Sequence, residues 1–219
     1  MRESFERELE QLRLQVELMA VRVGESLECC RRVLETGDAE LADAVVAADD
    51  DIDAMLVSIT ERAYELMARE APVASDLRLL LSVLRVLEEL ERIGDLGLRV
   101  AKRVEDQALL AANPAIFESL DGMAAVAQEL FHTASGAWSA QDVTLAHTLA
   151  DRSQAMDSHY QRLLGEILEL EGPGATQVAV AAILIGRAFD RIADHTVIIG
   201  ERLRYLLTGE TRYLAAEVR

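Results

Sequence analysis

Apolar residues recur at steps of three and four along most of the chain, the spacing of amphipathic helices and not of strands. The first series runs Phe5, Leu9, Leu12, Val16, Met19, Val23, Leu27, Cys30 and Leu34, with Ser4 as a candidate cap and Thr36-Gly37 as the stop. A second, Leu41, Val45, Ala48, Ile52, Met55, Ile59 and Leu66, comes after the candidate N-cap Asp38 and halts at Ala71-Pro72, since proline disfavours a helical residue before it. These two helices predict a hairpin. A third helix is expected over residues 75–104. Residues 105–113 lose the period and read as a linker, and Asn113-Pro114 is an N-cap followed by proline at the first helical position. Helix four then covers 114–138 and helix five 142–170. Gly172-Pro173-Gly174 breaks the chain before helix six, 176–207.

Three helices followed by three helices suggest duplication, and the acidic residues support it. Residues 88–102 read EELERIGDLGLRVAK, and 99 positions later 187–201 read RAFDRIADHTVIIGE. Under that shift Glu91 aligns with Asp190, Asp95 with Asp194, and the Arg-Ile pairs coincide. The expected fold is all-α: two tandem antiparallel three-helix bundles related by an internal repeat, over residues 1–106 and 113–210, with a tail at 211–219.

Composition narrows the function. The chain has 219 residues, with 39 acidic against 22 basic side chains and a formal charge of −17. That balance repels phosphate backbones and anionic lipid, so no nucleic-acid partner is expected and a membrane is reached only indirectly, through partners. Three prolines and 4% aromatics argue against a sheet protein. The two cysteines, Cys29 and Cys30, are adjacent and build no disulfide framework, which suits a reducing compartment. The N-terminal residues carry charges throughout, and no apolar run approaches the roughly 18 residues of a membrane span. A cytoplasmic protein is expected.

Residues four apart on a helix share a face, so Glu91/Asp95 and Asp190/Asp194 each present two carboxylates together. Following helix three through Leu77, Leu81, Leu84, Glu88, Glu91, Asp95, Arg99 and Lys102, an apolar stripe turns ionic. Helix six does the same through Val180, Ile183, Arg187, Asp190, Asp194, Ile198 and Glu201. Carboxylates on a packed stripe call for pairing or a cation, and Mg, Mn, Fe or Zn accept carboxylate oxygen. Asp49 and Asp53 on helix two and Asp157 on helix five are possible additional ligands. The competing reading is ordinary helix-surface ion pairing with Arg92, Arg99, Lys102, Arg187 or Arg191. Glu129 and His132 form a single Glu-x-x-His, where a carboxylate-bridged metal-dependent helical-bundle enzyme needs two such motifs and two further glutamates. That enzyme is the alternative. No phosphate-binding glycine loop and no nucleophile elbow is present.

APVASDLR at 71–78, ELERIGDL at 89–96 and DRIADHTVIIGERLRYLLTGE at 190–210 together resemble the PhoU family of phosphate-specific transport system accessory proteins, over essentially the whole chain. The resemblance implies a cytoplasmic, non-enzymatic negative regulator of phosphate uptake and phosphate-starvation signalling. In that family the protein is thought to act as an adaptor between the ATPase subunit of the phosphate ABC transporter and a sensor histidine kinase. It also implies metal, reported as iron, zinc, manganese or magnesium, at E/D-x-x-x-D motifs that fall here on Glu91, Asp95, Asp190 and Asp194. A homodimer is the expected assembly. Many members carry asparagine four residues after each motif, where this chain has Arg99 and Ile198. Helix two keeps D-x-x-I-D at Asp49 to Asp53, and helix five has Ser153 in place of the first aspartate. With Arg99 and Lys102 on the face of the first pair, the second pair is the one expected to hold an ion if only one does.

Overall fold

A computed structural model describes residues 2–218, with side chains described from 3 to 215. The first two apolar series become α1 (Arg2–Thr36) and α2 (Ala39–Glu70). At 1.5 Å per residue, α1 is about 50 Å long. Asp38 caps α2 as its sequence position suggests, its carboxylate accepting from Glu40 N at 2.9 Å and Leu41 N at 3.3 Å. Gly37 makes the reversal possible by taking φ 69°, where a Cβ is disfavoured. Ser4, expected as a cap, lies inside α1. The third helix, α3, is Ala74–Ala101.

The expected linker is largely ordered. A 3-10 turn, Val104–Asp106, leads into the short helix α4 (Gln107–Ala111). Leu110 there is fully buried, and the Gln107 amide donates to the Glu35 carbonyl at 3.1 Å, satisfying an open group at the end of α1. Asn113 makes no side-chain cap on the next helix, α5 (Pro114–Ala140), which opens on its proline. The Asn113 amide instead donates back to Leu109 O at 2.9 Å, closing α4.

The clearest departure is helix five, which is three pieces: α6 (Val143–His147), α7 (Leu149–Arg152) and α8 (Gln154–Leu168). The breaks fall at Thr148 and Ser153, whose hydroxyls donate to Leu145 O at 2.8 Å and Ala150 O at 2.9 Å. Such local bonds compete with the helical ladder. The last helix, α9 (Ala175–Thr208), comes after Gly172 and Gly174, both at positive φ, and ends at Gly209. It lies so near α7 that a Cβ on Gly200 would overlap the buried Leu149 side chain and stand 3.4 Å from Ala146 O. Gly200→Ala is therefore expected to lower stability by about 1–3 kcal/mol through overpacking, measured as a reduced urea midpoint with unchanged helical content. The tail forms a 3-10 segment, Thr211–Val218, that folds back on α9 with the Arg204 guanidinium 4.0 Å from the centre of the Tyr213 ring.

Each repeat is a three-helix bundle: α1, α2 and α3 in the first, and α5, the α6–α8 series and α9 in the second. The bundles join along α3 against α9 and α1 against α5. One apolar cluster runs through both, from Leu12 and Val16 of α1 through Leu87 and Leu90 of α3 to Phe131 of α5 and Phe189 and Ile199 of α9. No helix among the described residues is long and apolar enough to cross a membrane.

Candidate functional site

The apolar-to-ionic stripe of α3 is its outer face and not its packed one. Leu77 and Leu81 are exposed, whereas Leu80, Val83, Leu87, Leu90 and Ile93 fill the core; on α9, Val180 and Ile183 are exposed while Ile185, Phe189, Ile192 and Ile199 are buried. The carboxylates therefore sit at the rim of the bundle and not on the packed stripe that the sequence pattern suggests. Glu91, Asp95 and Asp190 are half-buried, and Asp194 is exposed.

In the first repeat, α2 brings Asp49 and Asp53 beside Glu91 and Asp95. The helices pack at Gly94, where a Cβ would make ordinary contact with Ile52 Cδ1 at 3.4 Å and Asp49 Oδ1 at 4.0 Å. Burial raises the Asp49 pKa, and repulsion from Asp53 and Asp95 raises it further, with Lys102 opposing. Burial likewise raises Glu91, followed by repulsion from Asp95 and Asp53, against Arg92. The only ion pair here among the described residues is a loose one, Arg99 to Asp95 at 3.6 Å. In the second repeat burial raises Asp190, Arg187 pulls the other way, and Asp194 and Asp157 add repulsion. Arg187 binds Asp190 directly. Arg99 and Lys102 do act on the first set, but loosely, against four mutually repelling carboxylates, whereas in the second set a guanidinium binds the most buried acid, the ion pairing of the competing reading.

The donor types suit a hard or borderline cation, but the side chains as placed do not close around one. Among the described residues no three of His, Cys, Asp or Glu are grouped closely enough to share an ion. Repulsion keeps like charges apart, and a cation between them reverses the sign of that term. Folding raises these pKa values, so it favours the protonated forms. The resulting stability is present below the unfolded carboxylate range, about 3.9–4.3, and is lost as pH rises through the raised folded values. Asp49→Asn with Glu91→Gln is accordingly expected to stabilise the protein at pH 7 in metal-free buffer, by less than about 1 kcal/mol for charges this exposed. The gain should vanish near ~pH 3; chemical denaturation at both pH values checks it, and an equal gain at each would contradict the clustering.

His195 and Glu89 are what the sequence did not put together. His195 follows Asp194 in the second repeat and Glu89 lies inside an acidic run, so neither position by itself announces the contact. Both are buried, and His195 Nδ1 lies 2.6 Å from Glu89 Oε2 across the seam between α3 and α9. Arg85 Nη2 approaches Glu89 Oε1 at 2.7 Å as an ion pair, off the line of a hydrogen bond. Arg191 Nη2 stands 3.4 Å from His195 Nε2. With a guanidinium at Nε2, the ring carries its proton on Nδ1 and donates it to Glu89. The signal available was position: Glu89 is flanked on the packed face by Val86, Leu90 and Ile93.

The other histidines do not join the carboxylates. His132 faces Glu28 at 3.5 Å, and Glu129 is held by Arg152 at 2.9 Å, both at the surface. His147 is exposed, and His159 is half-buried against Gly122 of α5. Cys30 is buried, its thiol donating to Gly97 O at 3.1 Å, and burial pushes its pKa up to about 12. It is not a nucleophile at neutral pH.

Comparison with known proteins agrees with this architecture. The family profile described as the PhoU domain matches residues 16–104 and 120–203, once in each bundle. The chain is 31% identical over 208 residues to a protein of Thermotoga maritima named phosphate-specific transport system accessory protein PhoU homolog 1, covering 94% of this chain and 90% of that one. It is 30% identical over 209 residues to a homolog of the same protein from Pseudomonas aeruginosa, covering 94% and 86%. Among solved structures, PhoU from Pseudomonas aeruginosa superposes with a TM-score of 0.88 at 30% identity, covering 94% of this chain and all of that one. The phosphate transport system regulatory protein PhoU from Streptococcus pneumoniae gives 0.84 at 26% identity, covering 94% and 98%. With a domain match in each repeat and relatives aligned along nearly its whole length, the chain belongs to the PhoU family.

Proposed function

We propose that this protein is a cytoplasmic, non-enzymatic negative regulator of phosphate uptake and phosphate-starvation signalling. It acts as an adaptor between the ATPase subunit of a phosphate ABC transporter and a sensor histidine kinase. The observation that carries this reading is membership of the family along both repeats, with relatives named as accessory proteins of a phosphate-specific transport system. An acidic surface of net charge −17 suits contact with a membrane system through its protein components and not through anionic lipid. The working assembly is a homodimer.

Divalent or multinuclear metal is part of the proposal. Glu91 and Asp95, with Asp49 and Asp53, would hold it in the first repeat, and Asp190 and Asp194, with Asp157, in the second. Iron, zinc, manganese and magnesium all suit oxygen donors. Bound there, an ion neutralises the repelling carboxylates and ties α2 to α3 or α8 to α9. Asp95→Ala with Asp194→Ala is expected to abolish stoichiometric metal, measured by elemental analysis, while leaving helical content intact because both residues lie outside the core. Full retention of metal would refute these ligands. For the regulatory role, deleting the gene should raise phosphate-starvation gene expression in phosphate-rich medium, and supplying the chain should restore repression. Unchanged output in a strain without a second copy would sink the adaptor reading.

A further inference from the structure

The cleft between α3 and α9 is basic in a protein that is otherwise acidic. It has a volume of about 720 Å³ and carries Arg92, Arg99, Lys102, Arg103, Arg187 and Arg191 against two carboxylates, Glu91 and Asp95. The chain as a whole has 39 acids to 22 bases, so a six-to-two excess of bases on the cleft lining runs against the chain-wide balance, with Asp106 and Asp190 paired to two of the six and Asp49 and Asp53 acting on Glu91. Lys102 is also the only lysine in the sequence.

Ion pairing accounts for half of these cations. Arg99 lies 3.6 Å from Asp95, Arg103 2.9 Å from Asp106, and Arg187 binds Asp190. Arg92, Lys102 and Arg191 take part in no ion pair within 4.0 Å among the described residues. Arg191 is positioned through His195, whose ring is fixed in turn by buried Glu89. Cations gathered on the walls of a cleft concentrate field there and favour an anion between them. Guanidinium groups bond phosphoryl oxygens in pairs, and an ammonium adds a point charge. Their spread over two helices suits a chain of phosphoryl groups better than a single one. Leu96, Leu184 and Ala188 supply an apolar wall beside them.

We propose that this cleft binds a small anion with two or more linked phosphoryl groups, with Arg92, Lys102 and Arg191 as its direct ligands. An inorganic polyphosphate chain and a nucleoside triphosphate share that chemistry. The site is distinct from the regulatory reading but shares Glu91 and Asp95 with the proposed metal ligands, so binding is read on the isolated protein in metal-free buffer.

The test is calorimetric titration of the full chain with tripolyphosphate, ATP and orthophosphate. Tripolyphosphate is expected to bind at least about tenfold tighter than orthophosphate, because only the chain bridges several cations. Arg92→Ala with Arg191→Ala should weaken it by about tenfold or more. Arg22→Ala with Arg152→Ala, which removes the same charge elsewhere, should change it less than about threefold. ATP binding tighter than tripolyphosphate assigns the nucleotide, with its base on the apolar wall; weaker binding assigns the inorganic chain. Acetylation of Lys102, read by mass spectrometry, should slow several-fold with ligand present. No binding of either polyphosphate at about millimolar concentration, equal losses in the two double variants, or an unprotected Lys102 would overturn the proposal.

Discussion

Glu89→Ala is expected to cost about 2–4 kcal/mol, from a buried N–H left without its charged acceptor and a lost ion pair to Arg85. At about 2–4 °C per kcal/mol for a chain of this length, the thermal midpoint should fall by roughly 4–16 °C. Glu89 is 1% exposed, and its two oxygens are spent on different elements: Oε2 on His195 of α9 and Oε1 on Arg85 one turn earlier in α3. Truncation leaves the His195 ring, itself 6% exposed, with an Nδ1 hydrogen and no acceptor. Arg85 keeps Glu88 at 2.9 Å, so the loss falls on the histidine and on the seam. Glu89→Gln retains an acceptor for Nδ1–H and should cost less, about 1–3 kcal/mol. Denaturant melts of Glu89→Ala, His195→Ala and the double variant should show a coupling of about 1 kcal/mol or more. Equal costs for the Ala and Gln variants, or no coupling, would show that the pair does not hold the seam. Because His195 also steadies Arg191, the same substitution should loosen the cleft wall.

Much of the fold was legible because the information was local. The 3.6-residue period, the Asp38 cap and the Gly-Pro-Gly break lie within a few residues of what they specify. Asp142 caps α6 with bonds to Thr144 N at 2.8 Å and Leu145 N at 3.0 Å. What was not legible depended on neighbours. Thr148 and Ser153 fit a continuous helix by period, yet their hydroxyls turn to carbonyls behind them and α9 presses Leu149 against Gly200. The linker read as irregular because a five-residue helix has too few residues to show a period, and its Leu110 is buried only by the bundle it crosses.

The site divides in the same way. The pairing of Glu91 with Asp95 and of Asp190 with Asp194 is a helix property and was visible. That Asp49 and Asp53 stand beside the first pair is a result of the packing of α2 against α3. Leucines at 77, 81 and 84 suggest a core stripe, but α9 and α1 pack on the neighbouring face, through Leu80, Val83 and Leu87. The Glu89–His195 contact spans 106 residues, and the repeat itself hid it: shifted by 99 positions, Glu89 aligns with Ala188 and His195 with Leu96, so the pair has no counterpart in the other half.

Phe131→Ala is the second large effect, about 3–5 kcal/mol for emptying a buried aromatic site, and it bears on whether the two repeats fold as one unit. Phe131 belongs to α5 of the second repeat but packs on the first: a Cβ on Gly24 of α1 would lie 3.3 Å from Phe131 Cε1. The same place is lined by Val16 and Ala20 of α1, Val86 and Leu90 of α3, and Ile199 of α9. A residue touching helices of both bundles cannot be lost from one of them alone. If the core is continuous, wild-type protein should unfold in a single transition, with the fluorescence of Trp138, the only tryptophan, tracking the far-UV signal of all helices. Phe131→Ala should then move both signals together to lower denaturant. Were the bundles independent, the far-UV signal of the variant would split into two steps, only one of them coincident with the Trp138 transition, since Trp138 lines the same seam. Coincident curves in the variant therefore assign the duplicated chain one cooperative fold, with α3 and α9 as its shared axis and the charged cleft on the seam between them.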